Sequence, residues 1–117
     1  VNAEHVRNRL LVDGRVVATF RHPITQSFYL ERSDVLVVLT HSRNWEGNHR
    51  NLWAFRGNGR RRWRVGASGF RTRAGTDPVE DVGPYDDDYL LARMGGDVAA
   101  IHALTGGVVP LRRRLIW

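Results

Sequence analysis

The chain has no cysteine, no lysine, one methionine and four prolines among its 117 residues. Without cysteine there is no disulfide framework, no zinc–thiolate site and no thiol nucleophile. No apolar run approaches the roughly 20 residues that a membrane-spanning helix needs. The stretch VNAEHVRNRL lacks the apolar core of a signal peptide, so the expected setting is the cytoplasm, with no membrane partner. There is also no Ser/His/Asp signature, no glycine-rich phosphate loop and no carboxylate pair at helical spacing. The expectation is therefore a protein that is not an enzyme and takes no cofactor.

What is present is arginine and β-branched residues. All 18 basic residues are arginine, against 12 acids, for a net charge of +6. Codon bias accounts for such a preference. So does a use for the planar guanidinium, which pairs bidentately with carboxylate or phosphate and stacks on aromatic rings. The charge is uneven along the chain. Residues 1–75 carry 14 Arg and 5 acids, a net +9, and residues 76–117 carry 4 Arg and 7 acids, a net −3. Hydrophobic and charged contents of 42% and 26% are those of a globular chain, and the length is that of one domain over residues 1–117.

Strand signals dominate. RNRLLV and RVVATF flank Asp13-Gly14, a pair suited to a turn with positive φ at both central residues. SFYLE and DVLVVLT flank Arg32-Ser33, and NLWAF and RRRWRV flank Gly57-Asn58-Gly59. DYLLARM and DVAAIHA flank Gly95-Gly96, and GVVPLRR follows Leu104-Thr105-Gly106. Short β-rich runs at regular spacing with glycine turns predict an all-β, antiparallel meander of hairpins. Residues 98–104 have helical propensity, but seven residues between glycine pairs are read as strand. Residues 41–50 and 66–88 break the pattern as a polar insertion and a Gly/Pro/Asp-rich connection.

An internal repeat flanks that connection. DVLVVL (34–39) matches DYLLAR (88–93), and NLWAF (51–55) matches DVAAI (97–101); the repeat units are residues 28–65 and 86–112. The stretch DYLLARMGGDVAAIHALTGGVVPL resembles a blade of the PQQ-like β-propeller repeat through Ala100, Thr105 and Gly106, with His102 where that repeat has Asp and Pro110 where it has Trp. The other copy keeps Ala54 and Trp63. The resemblance implies two blade-like sheets. A propeller needs about four blades or more, so the chain is expected either to complete a ring with other copies or to pack its two sheets as a sandwich. No cofactor site of that repeat class is reproduced, and none is carried over.

Three constellations are candidates for function. In the 51–65 hairpin, alternation puts Arg60, Arg62 and Arg64 on one face. A three-residue Gly57-Asn58-Gly59 loop pairs Trp53 with Trp63 and separates an aromatic inner face from an arginine outer face. A two-residue Asn58-Gly59 loop instead pairs Trp53 with Arg64 and Phe55 with Arg62. The first divides core from solvent more cleanly and is the expected register. Those arginines, with Trp45 as a stacking platform and His49 nearby, are the candidate binding residues. Nucleic acid is the second-ranked partner, because three alternate arginines span about 13 Å of strand. The competing reading is a solvated face balanced by the acids of DPVEDVGPYDDDY. Asp81, Asp86, Asp87 and Asp88 offer hard oxygen ligands but lack the ligand spacing of a calcium loop. His41, Glu46 and His49 suit zinc chemically, although histidines in a polar loop are ordinarily just exposed; no metal is expected. Unclosed sheets leave edges that pair with other chains unless charged or covered, with Arg112–Arg114 a candidate for such protection. The function expected is therefore non-enzymatic binding, to a protein partner or to further copies of the chain as a homo-oligomer. Trp53, Phe55, Trp63, Leu36, Val38, Leu90, Ile101 and Val108 are the expected core.

Overall fold

A computed structural model describes residues 1–41, 51–65, 79–94 and 97–111. Eleven strands run through these residues and form three antiparallel sheets. The first sheet holds β1 (Ala3–Val6), β2 (Arg9–Val12) and β3 (Arg15–Thr19) in sequence order. The second holds β4 (Ile24–Leu30), β5 (Val35–Thr40), β6 (Leu52–Phe55) and β7 (Arg61–Val65). The third holds β8 (Asp81–Pro84), β9 (Tyr89–Met94), β10 (Asp97–His102) and β11 (Val108–Leu111). Every neighbouring pair is consecutive in the chain, so each sheet is a meander and none closes into a barrel. The two repeat units sit at the same places in their sheets: β5 and β9 are second strands, and β6 and β10 are third.

To the two four-stranded sheets the structure adds the first sheet, built from residues that the glycine-turn signals cover only in part. Asp13 and Gly14 have φ of 52° and 81°, the two-residue turn that an Asp-Gly pair allows. The β1–β2 turn has no glycine. There Arg7 takes a φ of 55°, and Asn8 Nδ2 donates to the Phe20 carbonyl at 2.8 Å, which holds the far end of β3 against the turn.

Two apolar clusters show how the sheets stack. Leu36, Val38 and Phe55 on one face of the second sheet pack with Leu10 and Val12 of the first. Val35, Val37, Leu39, Leu52, Ala54 and Trp63 on the opposite face pack with Val82, Leu90, Ala92, Ala99 and Ile101 of the third. The second sheet is thus the middle layer. Its β5 is buried at all six positions, which is why VLVVL reads as a continuous apolar run where a half-solvated strand alternates. The expected core residues all lie in these clusters or against them, with Trp53 and Val108 only partly buried. They divide between two cores on opposite faces of one sheet.

Polar ties fix the layers. Buried Asn51 donates to the carbonyls of Thr40 (3.0 Å) and Val79 (2.7 Å) and accepts from Val79 N–H (3.0 Å), joining the middle sheet to the entry of the third. The Gln26 side-chain amide makes a reciprocal pair with the Val82 backbone, at 3.3 and 3.2 Å. Paired this way, polar groups between sheets carry little of the cost of burial.

Candidate functional site

The arginine hairpin differs from the expected register, and the cause is local. The turn is the three-residue loop anticipated: Gly59 N–H donates to the Arg56 carbonyl at 2.9 Å, Arg56 N–H donates to the Arg60 carbonyl at 2.7 Å, and Gly59 has a φ of 89°. One step further, the ladder slips. Phe55 faces Arg61, yet Ala54 faces Trp63 and Trp53 faces Arg64. Arg62 is the extra residue of a β-bulge, and everything beyond it shifts by one. Trp53 and Trp63 therefore lie on opposite faces of the middle sheet rather than side by side, one in each core.

The bulge also sets what the arginines can do. Arg62, whose side chain is only 16% exposed, donates through Nε to the Asp34 carbonyl at 3.1 Å and places Nη2 3.8 Å from the Asp34 carboxylate. The Arg64 guanidinium lies 4.3 Å over the Trp53 ring, a cation–π contact. Phe20 meets the same ring edge-on, with centroids 4.9 Å apart. Arg60 and Arg61 are exposed. Two of the three candidate arginines are thus engaged by the protein itself, on the edge strand of the middle sheet, where charge discourages pairing with another chain. Trp45 and His49, like Glu46 and Arg112–Arg114, lie outside the described residues.

Asp34 is the hub of a clasp at that end of the sheet. Its Oδ1 accepts from the Tyr29 hydroxyl at 2.6 Å and from Gly57 N–H at 2.9 Å. Asp34 has a φ of 54°, a region that Asp tolerates better than most residues. The bond to the Asp34 carboxylate, with burial and the negative charge adding to it, pushes the Tyr29 phenol up to about 12. The same bond, then the Gly57 amide, holds the Asp34 carboxyl below the usual range against the effect of burial. The clasp joins the β4–β5 and β6–β7 turns.

The acids of the second half serve local structure. Asp86 Oδ1 accepts from the N–H groups of Asp88 (2.9 Å) and Tyr89 (2.8 Å), forming the turn into β9. Asp87 pairs with Arg32 across the second and third sheets, both side chains well exposed. That contact joins an acid of the second half to an arginine of the first, as the charge split suggests, and contributes little energy because it is solvated. Among the described residues no group of three or more His, Asp or Glu is placed to hold a metal ion, and no helix is long and apolar enough to cross a membrane.

The surface that sequence reasoning missed is the outer face of the third sheet. Val82, Leu90, Ala92, Ala99, Ile101 and Val108 point inward, so alternation puts Gly83, Leu91, Val98, Ala100, Val109 and Leu111 outward. Cross-strand register aligns Gly83, Leu91, Ala100 and Val109 in one apolar row over all four strands. The next row runs Asp81, Arg93, Val98, Leu111. Val109 and Leu111 are 48% and 36% exposed. The signal was readable: YLLA, VAAI and VVPL lack the polar alternation of a sheet with one wet face.

The geometry defines the class: an all-β protein of three stacked antiparallel meander sheets. A family described as a domain of unknown function (DUF7957) matches residues 1–83, and the chain belongs to it. The match covers the first two sheets and ends within β8. No curated protein and no solved structure matches the chain.

Proposed function

We propose that this protein is a non-enzymatic association module that binds another protein through the outer face of its third sheet. The observation that carries the reading is the apolar row Gly83–Leu91–Ala100–Val109, with Val98 and Leu111 beside it and a single Asp81–Arg93 pair at its rim. The middle sheet buries its apolar faces on both sides against its neighbours, and an apolar patch rimmed by charge marks a protein contact. The reading includes the resemblance to propeller blades. Each of the three sheets is a meander stacked face to face on the next, and an incomplete set of blades presents the face on which a further sheet packs.

A photo-reactive amino acid placed at position 109 tests this in cells that make the protein. Irradiation is expected to yield a protein adduct from position 109 and none from the likewise exposed Arg61 position. Adducts from both positions in equal yield, or from neither, would overturn the reading. The arginine hairpin is assigned no nucleic-acid role, because Arg62 and Arg64 are held by Asp34 and Trp53.

A further inference from the structure

Gly83 stands inside β8 for no reason that the chain itself supplies. A positive φ accounts for Gly59 and Gly106, but Gly83 lies outside the left-handed region. The β8–β9 ladder passes through Gly83 and Leu91 without a register shift, so there is no bulge to accommodate. A Cβ built at this position would meet no atom within 4 Å. Glycine weakens a strand interior through lost packing and extra chain entropy. Where neither a bulge nor crowding requires it, it marks the close approach of something outside the strand.

Over Gly83 lies an open depression of about 500 Å³ on the outer face of the third sheet. Gly83 is its floor, Pro84, Leu91 and Val98 are its apolar sides, and Asp81 and Arg93 line one end. Asp81 and Arg93 face each other across the ladder and are exposed. Neither side chain has a hydrogen-bond or ion-pair partner among the described residues. The depression is reached face-on, because strand addition at the edges of this sheet is obstructed. Gln26 occupies both the N–H and the carbonyl of Val82 on β8, and Pro110 on β11 has no N–H to donate.

We propose that the partner protein seats a tryptophan or tyrosine side chain over Gly83. This rests on the association reading above and specifies what the partner presents. Charge complementarity selects an aromatic ring that carries a donor. The negative face of such a ring meets the Arg93 guanidinium. Its positive edge, with the indole N–H or phenol O–H, meets the Asp81 carboxylate, and its flat body rests on the bare Gly83 backbone. An aliphatic anchor would cover both charged groups and leave them without partners. A charged anchor would lose its hydration against Pro84, Leu91 and Val98. Trp and Tyr, with Arg, also dominate the binding energy at the centres of protein contacts.

The test titrates N-acetyltryptophanamide, with N-acetylleucinamide as control, into the isotope-labelled 117-residue chain and follows amide NMR shifts. The tryptophan probe is expected to give saturable shifts at Gly83, Leu91 and Arg93, and the leucine probe to bind at least about tenfold more weakly. Gly83→Val fills the depression and is expected to weaken the tryptophan probe by about tenfold or more. The urea midpoint of that variant is expected to stay unchanged or rise, since a β-branched residue suits an open strand position. Equal binding of the two probes, no saturable shift at those amides, or undiminished binding to Gly83→Val would overturn the proposal. So would a lowered midpoint, which would make Gly83 a requirement of the fold. The same substitution in the crosslinking experiment at position 109 separates the two readings, and loss of the adduct is expected. An adduct that persists would overturn the anchor and leave the association reading standing, whereas no adduct from the unsubstituted chain would overturn the association reading itself.

Discussion

The Trp63 indole N–H donates to the Ala103 carbonyl at 2.7 Å, a bond between two sheets whose partners are 40 residues apart in the chain. The same ring covers Gly106, where a Cβ would approach Trp63 Cγ and Cδ2 to 2.9 Å. Gly106 has a φ of 76°, so it is both the residue the backbone requires and the gap the indole fills.

Trp63→Ala is expected to cost about 3–5 kcal/mol, as truncations of large buried aromatics do. Trp63→Phe keeps most of the packing but strands the buried Ala103 carbonyl, for about 1–3 kcal/mol. Gly106→Ala meets both the φ penalty and the indole. Urea denaturation measures all three. Unchanged midpoints would mean that the second and third sheets are not joined there.

Asn51→Leu is expected to destabilise the protein by about 3 kcal/mol, because it leaves Val79 N–H and two carbonyls buried without partners. Hydrogen exchange is a second readout: protection at Val79 and along β8 should fall well before protection in the first sheet. Uniform loss across all three sheets would contradict the role of Asn51 as a local tie.

The Tyr29–Asp34 clasp predicts pH effects of definite sign. The Tyr29 phenol is raised in the folded protein, so its stabilising contribution is full below about pH 10 and is lost as pH climbs through about 12. The Asp34 carboxyl is lowered, so its contribution is present above the ordinary Asp value and disappears as acid titrates the folded group. Asp34→Asn keeps a residue that tolerates positive φ but removes the charge. Phenolate absorbance should then show Tyr29 ionising close to 10. Ionisation near 12 in that variant would assign the shift to some other neighbour.

The bulge at Arg62 predicts weak nucleic-acid binding. Three free arginines on a single strand would give a slope of about −2 in log K against log salt. With Arg62 and Arg64 engaged, single-stranded DNA is expected to bind feebly at low salt and not at physiological ionic strength. Micromolar affinity at about 0.15 M salt, lost on changing Arg60, Arg62 and Arg64 to Gln, would contradict this.

Much of the fold is legible where turn chemistry and periodicity agree. Asp13-Gly14 announces its hairpin, and DVAAIH is strand despite its helical propensity because the segment is too short between glycines to satisfy a helix. The β1–β2 hairpin is illegible because Arg7-Asn8 carries no glycine signal. Strand β8 hides in a Gly/Pro/Asp-rich connection, and only pairing with β9 makes DVGP extended. The slip that separates Trp53 from Trp63 depends on whether Arg62 is paired or bulged, and Asp34, 28 residues away, decides that through tertiary contact. The apolar outer face of the third sheet was visible as missing alternation. It reads as ordinary core until the structure shows that, among the described residues, only the middle sheet is covered on both sides.

The most direct measurement of the central claim is spin-label mobility. The chain has no cysteine, so a single cysteine at position 109 can carry a nitroxide, with position 61 on the charged edge as control. On raising the protein concentration, or on adding back cleared lysate from the source cells, the label at 109 is predicted to become immobilised while that at 61 stays mobile. A label at 109 that remains as mobile as the one at 61 under both conditions would contradict the assignment of this face to protein association.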